Sequence, residues 1–80
     1  MKTYLFTTPF SGLCAKVKQD LELGGVMAIE LDFDSFKPLA RTYCVTANDT
    51  PTVIVVGDDF IFRSVGEVDV ERVRGLVNLV

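Results

Sequence analysis

Five consecutive β-branched residues, Thr52–Val56 (TVIVV), constrain this chain more than any other stretch. Such a run predicts a strand with both faces buried, and therefore one inside a sheet. The triplet Gly57–Asp59 (GDD) behind it predicts a hairpin turn, and Phe60–Ser64 (FIFRS) the returning strand. Gly66 breaks that strand. Asp69 then caps a last helix with Val70, Val73, Val77 and Val80 on one face. A chain that closes on strand, hairpin, strand and helix has few ways to begin.

The first half narrows them further. Lys2–Thr7 (KTYLFT) reads as a strand rich in β-formers, stopped by Thr8 and Pro9. Gly12–Leu23 turns helical: Leu13, Val17 and Leu21 recur every four residues with Cys14 beside them, while Lys16, Gln19 and Asp20 take the other side. Ser11 is placed to cap this helix, and Gly24 and Gly25 to end it. Val26–Phe33 (VMAIELDF) predicts a second strand, apolar on both faces over its first half, as in a buried parallel strand. Asp34 or Ser35 would cap a second helix, with Pro38 in its first turn and Phe36, Leu39, Ala40 and Tyr43 as its apolar stripe. Val45–Thr52 is expected as loop, with Asn48, Asp49 and Pro51 as turn formers.

The resulting order is βαβαββα. The opening βαβ unit requires parallel strands joined by a right-handed crossover, and the hairpin adds antiparallel ones. A single α/β domain over residues 1–80 is expected, with a four-stranded mixed sheet flanked by three helices. A ferredoxin-like arrangement would need a strand where this chain ends in a helix.

Composition removes several function classes. With 49% apolar residues the chain can pack a core, and at 80 residues that core is small. The net charge of −3, without any Lys/Arg cluster, disfavours nucleic acid as a partner. No run approaches the apolar length of a membrane span, and MKTYLFTTPF does not read as a signal peptide. Two cysteines and no histidine argue against a disulfide framework and against a metal site. A reducing cytoplasm, no membrane, no metal and no cofactor are the expectations. Asp32 and Asp34, and Asp58 with Asp59, read as a strand end with a cap and as a hairpin turn rather than as cation ligands.

Three local patterns then resemble the thioredoxin/glutaredoxin family. Pro9–Cys14 (PFSGLC) is similar to that family's Pro-aromatic-Cys-Gly-x-Cys motif, with Phe10 at the aromatic position and Ser11 at the first cysteine. Asp49–Val56 (DTPTVIVV) is similar to the loop and strand that carry its cis-proline, here Pro51 with Thr50 before it. Phe60–Asp69 is similar to its last strand, glycine turn and final helix. The matches and their spacing cover nearly the whole chain.

The resemblance implies a thioredoxin fold and a thiol–disulfide oxidoreductase. Ser11 would stand at the attacking position and Cys14 at the resolving one. Phe10, Gly12, Leu13, Thr50, Pro51, Val65 and Gly66 would line the substrate groove. Protein disulfides and a thiol reductant or reductase would be the partners, and the chain would act as a monomer.

The departure lies at Ser11. A hydroxyl is not usefully ionised by a helix dipole, oxygen does not exchange with disulfides, and no histidine is present to activate it. Either Ser11 is an engineered replacement in a Cys-Gly-Leu-Cys enzyme, or the domain is a redox-inactive module that binds an extended peptide or protein. Locally, Ser11 also reads as a plain N-cap and Cys14 as a small core hydrophobe. Cys44 reads as buried packing. A Cys14–Cys44 bridge would need their Cα atoms within about 7 Å, and the expected fold separates them. Lys16 and Lys18 read as a solvated helix face.

Overall fold

The structure, a computed structural model, describes residues 1–9 and 11–78. Its elements are β1 (Lys2–Thr7), α1 (Gly12–Leu23), β2 (Ile29–Asp32), α2 (Lys37–Thr42), a 3-10 turn (Ala47–Asp49), β3 (Thr52–Val56), β4 (Ile61–Val65) and α3 (Val70–Val77). The order is the expected βαβαββα. Val80, assigned above to the stripe of the last helix, lies outside the described residues.

The sheet runs β2-β1-β3-β4. β1 is parallel to β2, with Thr7 opposite Asp32, and antiparallel to β3, with Tyr4 opposite Ile54. β3 and β4 form the hairpin. The two inner strands are therefore β1 and β3, and their side chains divide between two cores by the strict alternation of a strand. Leu5, Val53 and Val55 pack with Val17 and Leu21 of α1 and Val73 of α3. Tyr4, Phe6 and Ile54 pack on the opposite face with Ala40 of α2, Leu31 and Val45. A run that is β-branched throughout suits β3 because both of its faces are covered.

Both long helices end where local chemistry says they should. Ser11 Oγ accepts the N–H of Cys14 at the start of α1, and the Asp69 carboxylate accepts the N–H of Arg72 at the start of α3. At the end of α1, Gly25 takes φ +77°, the N–H of Val26 donates to Leu21 O and that of Gly25 to Glu22 O. These two bonds form a Schellman cap, which satisfies carbonyls the helix itself leaves open. Gly24 lies against α3: a Cβ there would collide with Val70 Cγ1.

The middle of the chain departs from expectation. The second strand is Ile29–Asp32, not Val26–Phe33, and it lies at the sheet edge rather than in its interior. Val26 is drawn into the cap of α1 and the core, which leaves Met27 93% exposed and Ile29 half exposed. Neither Asp34 nor Ser35 caps α2. Instead the Asp32 carboxylate accepts both the N–H and the hydroxyl of Ser35, at 3.1 and 3.0 Å, and this turn delays the helix to Lys37. Its N-cap is Phe36, which makes no side-chain cap and is exposed. Of the predicted stripe only Ala40 is fully buried; Leu39 and Tyr43 pack beside it, Tyr43 with its ring 5.9 Å from that of Tyr4.

Cys44 is exposed, not buried. It takes φ +58° just after α2, where the N–H of Val45 reaches Ala40 O and that of Cys44 reaches Arg41 O. This is the same Schellman cap as at Gly25, with a cysteine in the left-handed place. Val45, not Cys44, then turns into the core. In the hairpin, the loop is one residue longer than expected. Phe60 closes it through its carbonyl to the N–H of Gly57, and β4 starts at Ile61.

Candidate functional site

The start of α1 places four candidate residues together, Ser11, Gly12, Leu13 and Cys14. Ser11 has extended backbone (φ −101°, ψ 115°), and its carbonyl accepts from Ala15 to close the first turn of α1. Its hydroxyl accepts from the N–H of Cys14 at 3.2 Å. The lone pair that caps the helix is thus already used. Cys14 faces inward and is 4% exposed, because it continues the buried side of α1 formed by Val17 and Leu21. Gly12 and Leu13 lie on the exposed side of the same turn. Phe10 lies outside the described residues.

Forty residues on, the second part of the site arrives from the 3-10 turn. The Thr50–Pro51 peptide bond is cis, and Pro51 is buried. The hydroxyl of Thr50 donates to Ala47 O at 2.9 Å. A hydroxyl has one proton, so in the 3.3 Å contact between Thr8 Oγ1 and Thr50 Oγ1 the donor is Thr8. This bond, 42 residues apart in sequence, joins the end of β1 to the proline loop. Pro51 in turn accepts the N–H of Gly66 at 2.8 Å, and Gly66 holds φ +80°. Thr52 pairs with Val65, which is half exposed. Thr50, Pro51, Val65 and Gly66 therefore form one hydrogen-bonded corner, tied to the strand that leads into Ser11.

Beside the motif lies a cleft of about 550 Å³ lined by Thr8, Ser11, Gly12, Cys14, Lys18 and Asp32, among others. Thr8 and Asp32 escape a motif-based reading. The register signal for them is the parallel pairing of Thr7 with Asp32, which sets the ends of β1 and β2 side by side at the mouth of the cleft.

The charges around α1 are committed to partners. Lys16 contacts Asp20 at 3.1 Å and Glu67 at 3.9 Å, and the hydrogen bond to Asp20 holds its ammonium above the usual lysine range. Lys18 pairs with Glu30 at 3.3 Å. Both lysines are about half exposed; Lys16 pairs along α1 and toward the turn before α3, while Lys18 reaches across to β2. Beneath the proline loop, Asp49 accepts the N–H and hydroxyl of Thr46 and faces Arg63 of β4 at 3.0 Å. Those hydrogen bonds from Thr46, with Arg63 adding to them, hold its carboxyl below the ordinary range. Both cysteines are free thiols. Among the described residues no group of three His, Cys, Asp or Glu could hold a metal ion, and no helix is long and apolar enough to cross a membrane.

No protein-family model and no curated protein matches the chain. Solved structures do. A malarial protein superposes with a TM-score of 0.75 at 18% identity, over 98% of this chain and 96% of that one. Chloroplastic thioredoxin z gives 0.71 at 18% identity, over 95% and 75% of the two chains. The chain has the thioredoxin fold. Thioredoxin from Schistosoma mansoni agrees, with a TM-score of 0.71 at 21% identity over 94% of this chain and 73% of its own. At such identities the likeness is one of architecture, so the chemistry of the thioredoxin-fold site here must be argued from its own residues.

Proposed function

We propose that this chain is a thiol–disulfide oxidoreductase of the thioredoxin type, with Ser11 occupying the attacking position. The observation that carries this reading is the corner itself. Ser11 opens α1 and Cys14 follows one turn later, with the cis-proline loop tied to the same strand end through Thr8 and Thr50. A thiol at position 11 would meet the free N–H groups of the first turn, which favour a thiolate. That thiolate would attack one sulfur of a protein disulfide, releasing the other as a thiol. Cys14 would then displace the substrate from the mixed disulfide, leaving an internal disulfide for an external thiol reductant or reductase to reduce. No cofactor is needed. As the chain stands, the first step is closed, because the Ser11 hydroxyl does not exchange with sulfur.

In this reading the residues that the family resemblance assigns to the substrate groove, Phe10, Gly12, Leu13, Thr50, Pro51, Val65 and Gly66, would hold the extended substrate. The test is Ser11→Cys. The variant should catalyse dithiothreitol-driven reduction of insulin disulfides where the parent does not. A folded variant with no activity above background refutes the enzyme reading.

A second reading has its own support. The Ser11 hydroxyl is engaged as a helix cap and Cys14 is almost fully buried, so neither side chain is poised for exchange. A redox-inactive module would use the same groove to bind an extended polypeptide by backbone pairing. It predicts partner capture that survives Cys14→Ala. A cysteine codon at position 11 in the native gene supports the enzyme, and a serine codon the module.

A further inference from the structure

The α2 side of the molecule carries a second cavity, of about 460 Å³, lined by Phe33, Lys37, Arg41, Cys44 and Val45 together with the two residues that follow. That volume falls within the range of about 300–1,000 Å³ typical of small-molecule sites. Two cations and no carboxylate line it, in a protein whose net charge is −3. Lys37 and Arg41 are four residues apart on α2, so they share one face and repel each other. Their own counter-charges are poor. Asp34 stands 4.0 Å from Lys37, with both side chains mostly exposed, and among the described residues no carboxylate lies within 4.0 Å of Arg41. Phe33 and Val45 supply an apolar wall. Cys44, held outward by its left-handed backbone, brings an exposed free thiol to the same cavity.

We propose that this cavity binds small anionic disulfides with an apolar or aromatic body, and that Cys44 exchanges with them. The Cys44 proton passes to solvent and its sulfur attacks one sulfur of the bound disulfide. The S–S bond of the ligand breaks, a mixed disulfide forms on Cys44, and the second half leaves as a thiolate with the electron pair. The Cys44 sulfur is oxidised as the ligand's leaving sulfur is reduced, so no further reagent is required. Lys37 and Arg41 act on the ligand's charge, concentrating it at the thiol. None of this uses Ser11 or Cys14, and the site stands whether or not the motif is a redox centre.

The test compares two aromatic disulfides, dianionic dithiobis(nitrobenzoate) and neutral dithiodipyridine, on the whole chain. The rate of adduct formation is followed by released thiol, and the modified cysteine is identified by mass. The double variant Lys37→Gln, Arg41→Gln should slow the dianionic reagent by about tenfold, the low end of electrostatic focusing. It should change the neutral reagent by less than about twofold, and added salt should erode the difference. Cys44→Ser should abolish the adduct under native conditions. An equal loss with both reagents would mean that the cations act on the thiol alone and would overturn the site. So would an unchanged rate with the dianion, or an adduct carried by Cys14.

Discussion

Replacing Cys44 by glycine should make this protein more stable. Cys44 is a non-glycine residue at φ +58°, in the left-handed place of a Schellman cap whose two bonds are both made. An L-residue in that conformation costs roughly 1–2 kcal/mol relative to glycine, because Cβ crowds the following carbonyl. The side chain is exposed, so deleting it sacrifices little burial. Against the gain stands the greater freedom of glycine in the unfolded chain, about 0.5–1 kcal/mol. The net is a stabilisation centred on about 0.75 kcal/mol, within a range of about 0–1.5 kcal/mol. For a domain of this size that raises Tm by several degrees, at about 4–8 °C per kcal/mol.

Urea unfolding followed by circular dichroism, in reducing buffer, reads the effect as a shift of midpoint at constant slope. Two controls isolate the backbone as the cause. Cys44→Ser removes the thiol but keeps a Cβ, and should leave the midpoint unchanged. Gly25→Ala places a Cβ at φ +77° in the matching cap of α1, where nothing lies within 4 Å of it. Strain alone should then lower stability by about 1 kcal/mol. A midpoint for Cys44→Gly at or below that of the parent would refute the argument, since it would mean that the cysteine side chain contributes more than its conformation costs.

Three further outcomes follow from the geometry. Ser11→Ala removes the hydroxyl that accepts from Cys14 and should lower stability by about 1 kcal/mol, measured by the same urea titration. Gly24→Ala drives a Cβ into Val70 Cγ1 and should cost about 1–3 kcal/mol by overpacking the contact of α1 with α3, a loss that Gly24→Ala, Val70→Ala should partly recover. Asp49 has a depressed carboxyl, so its contribution to stability is full above the ordinary carboxylate range and is lost as pH falls through the native value. Asp49→Asn should therefore flatten the decline of stability below about pH 4, and an unchanged acid limb would contradict that linkage.

The parts of this fold that read directly from sequence are those whose signals are local. α1 stands between a serine cap and a glycine pair, with Cys14, Val17 and Leu21 as its buried side and the expected Leu13 exposed, and β3 is β-branched throughout because β1 and β4 flank it while helices cover both its faces. The stretch Val26–Cys44 misleads because its outcome depends on what it lies against. An apolar Val26–Ile29 looks like an interior strand, yet Val26 is taken by the helix cap before β2 begins, and β2 has a neighbour on one side only. Cys44 follows an apolar stripe, and only the register of α2 shows that Val45 rather than Cys44 faces the core. The candidate site divides in the same way. Ser11, Cys14, Thr50 and Pro51 stand in a recognisable motif, whereas Thr8 becomes part of the site only because a parallel crossover and an antiparallel pairing bring the end of β1 to the turn before β3. Local pattern thus names the residues of the proposed chemistry. The residues that hold them together, Thr8 across to Thr50 and Pro51 across to Gly66, are set by strand order. A hypothesis about this chain gains most from variants of that second group: Thr8→Val keeps the motif intact and tests whether the corner, rather than the residues alone, makes a functional site.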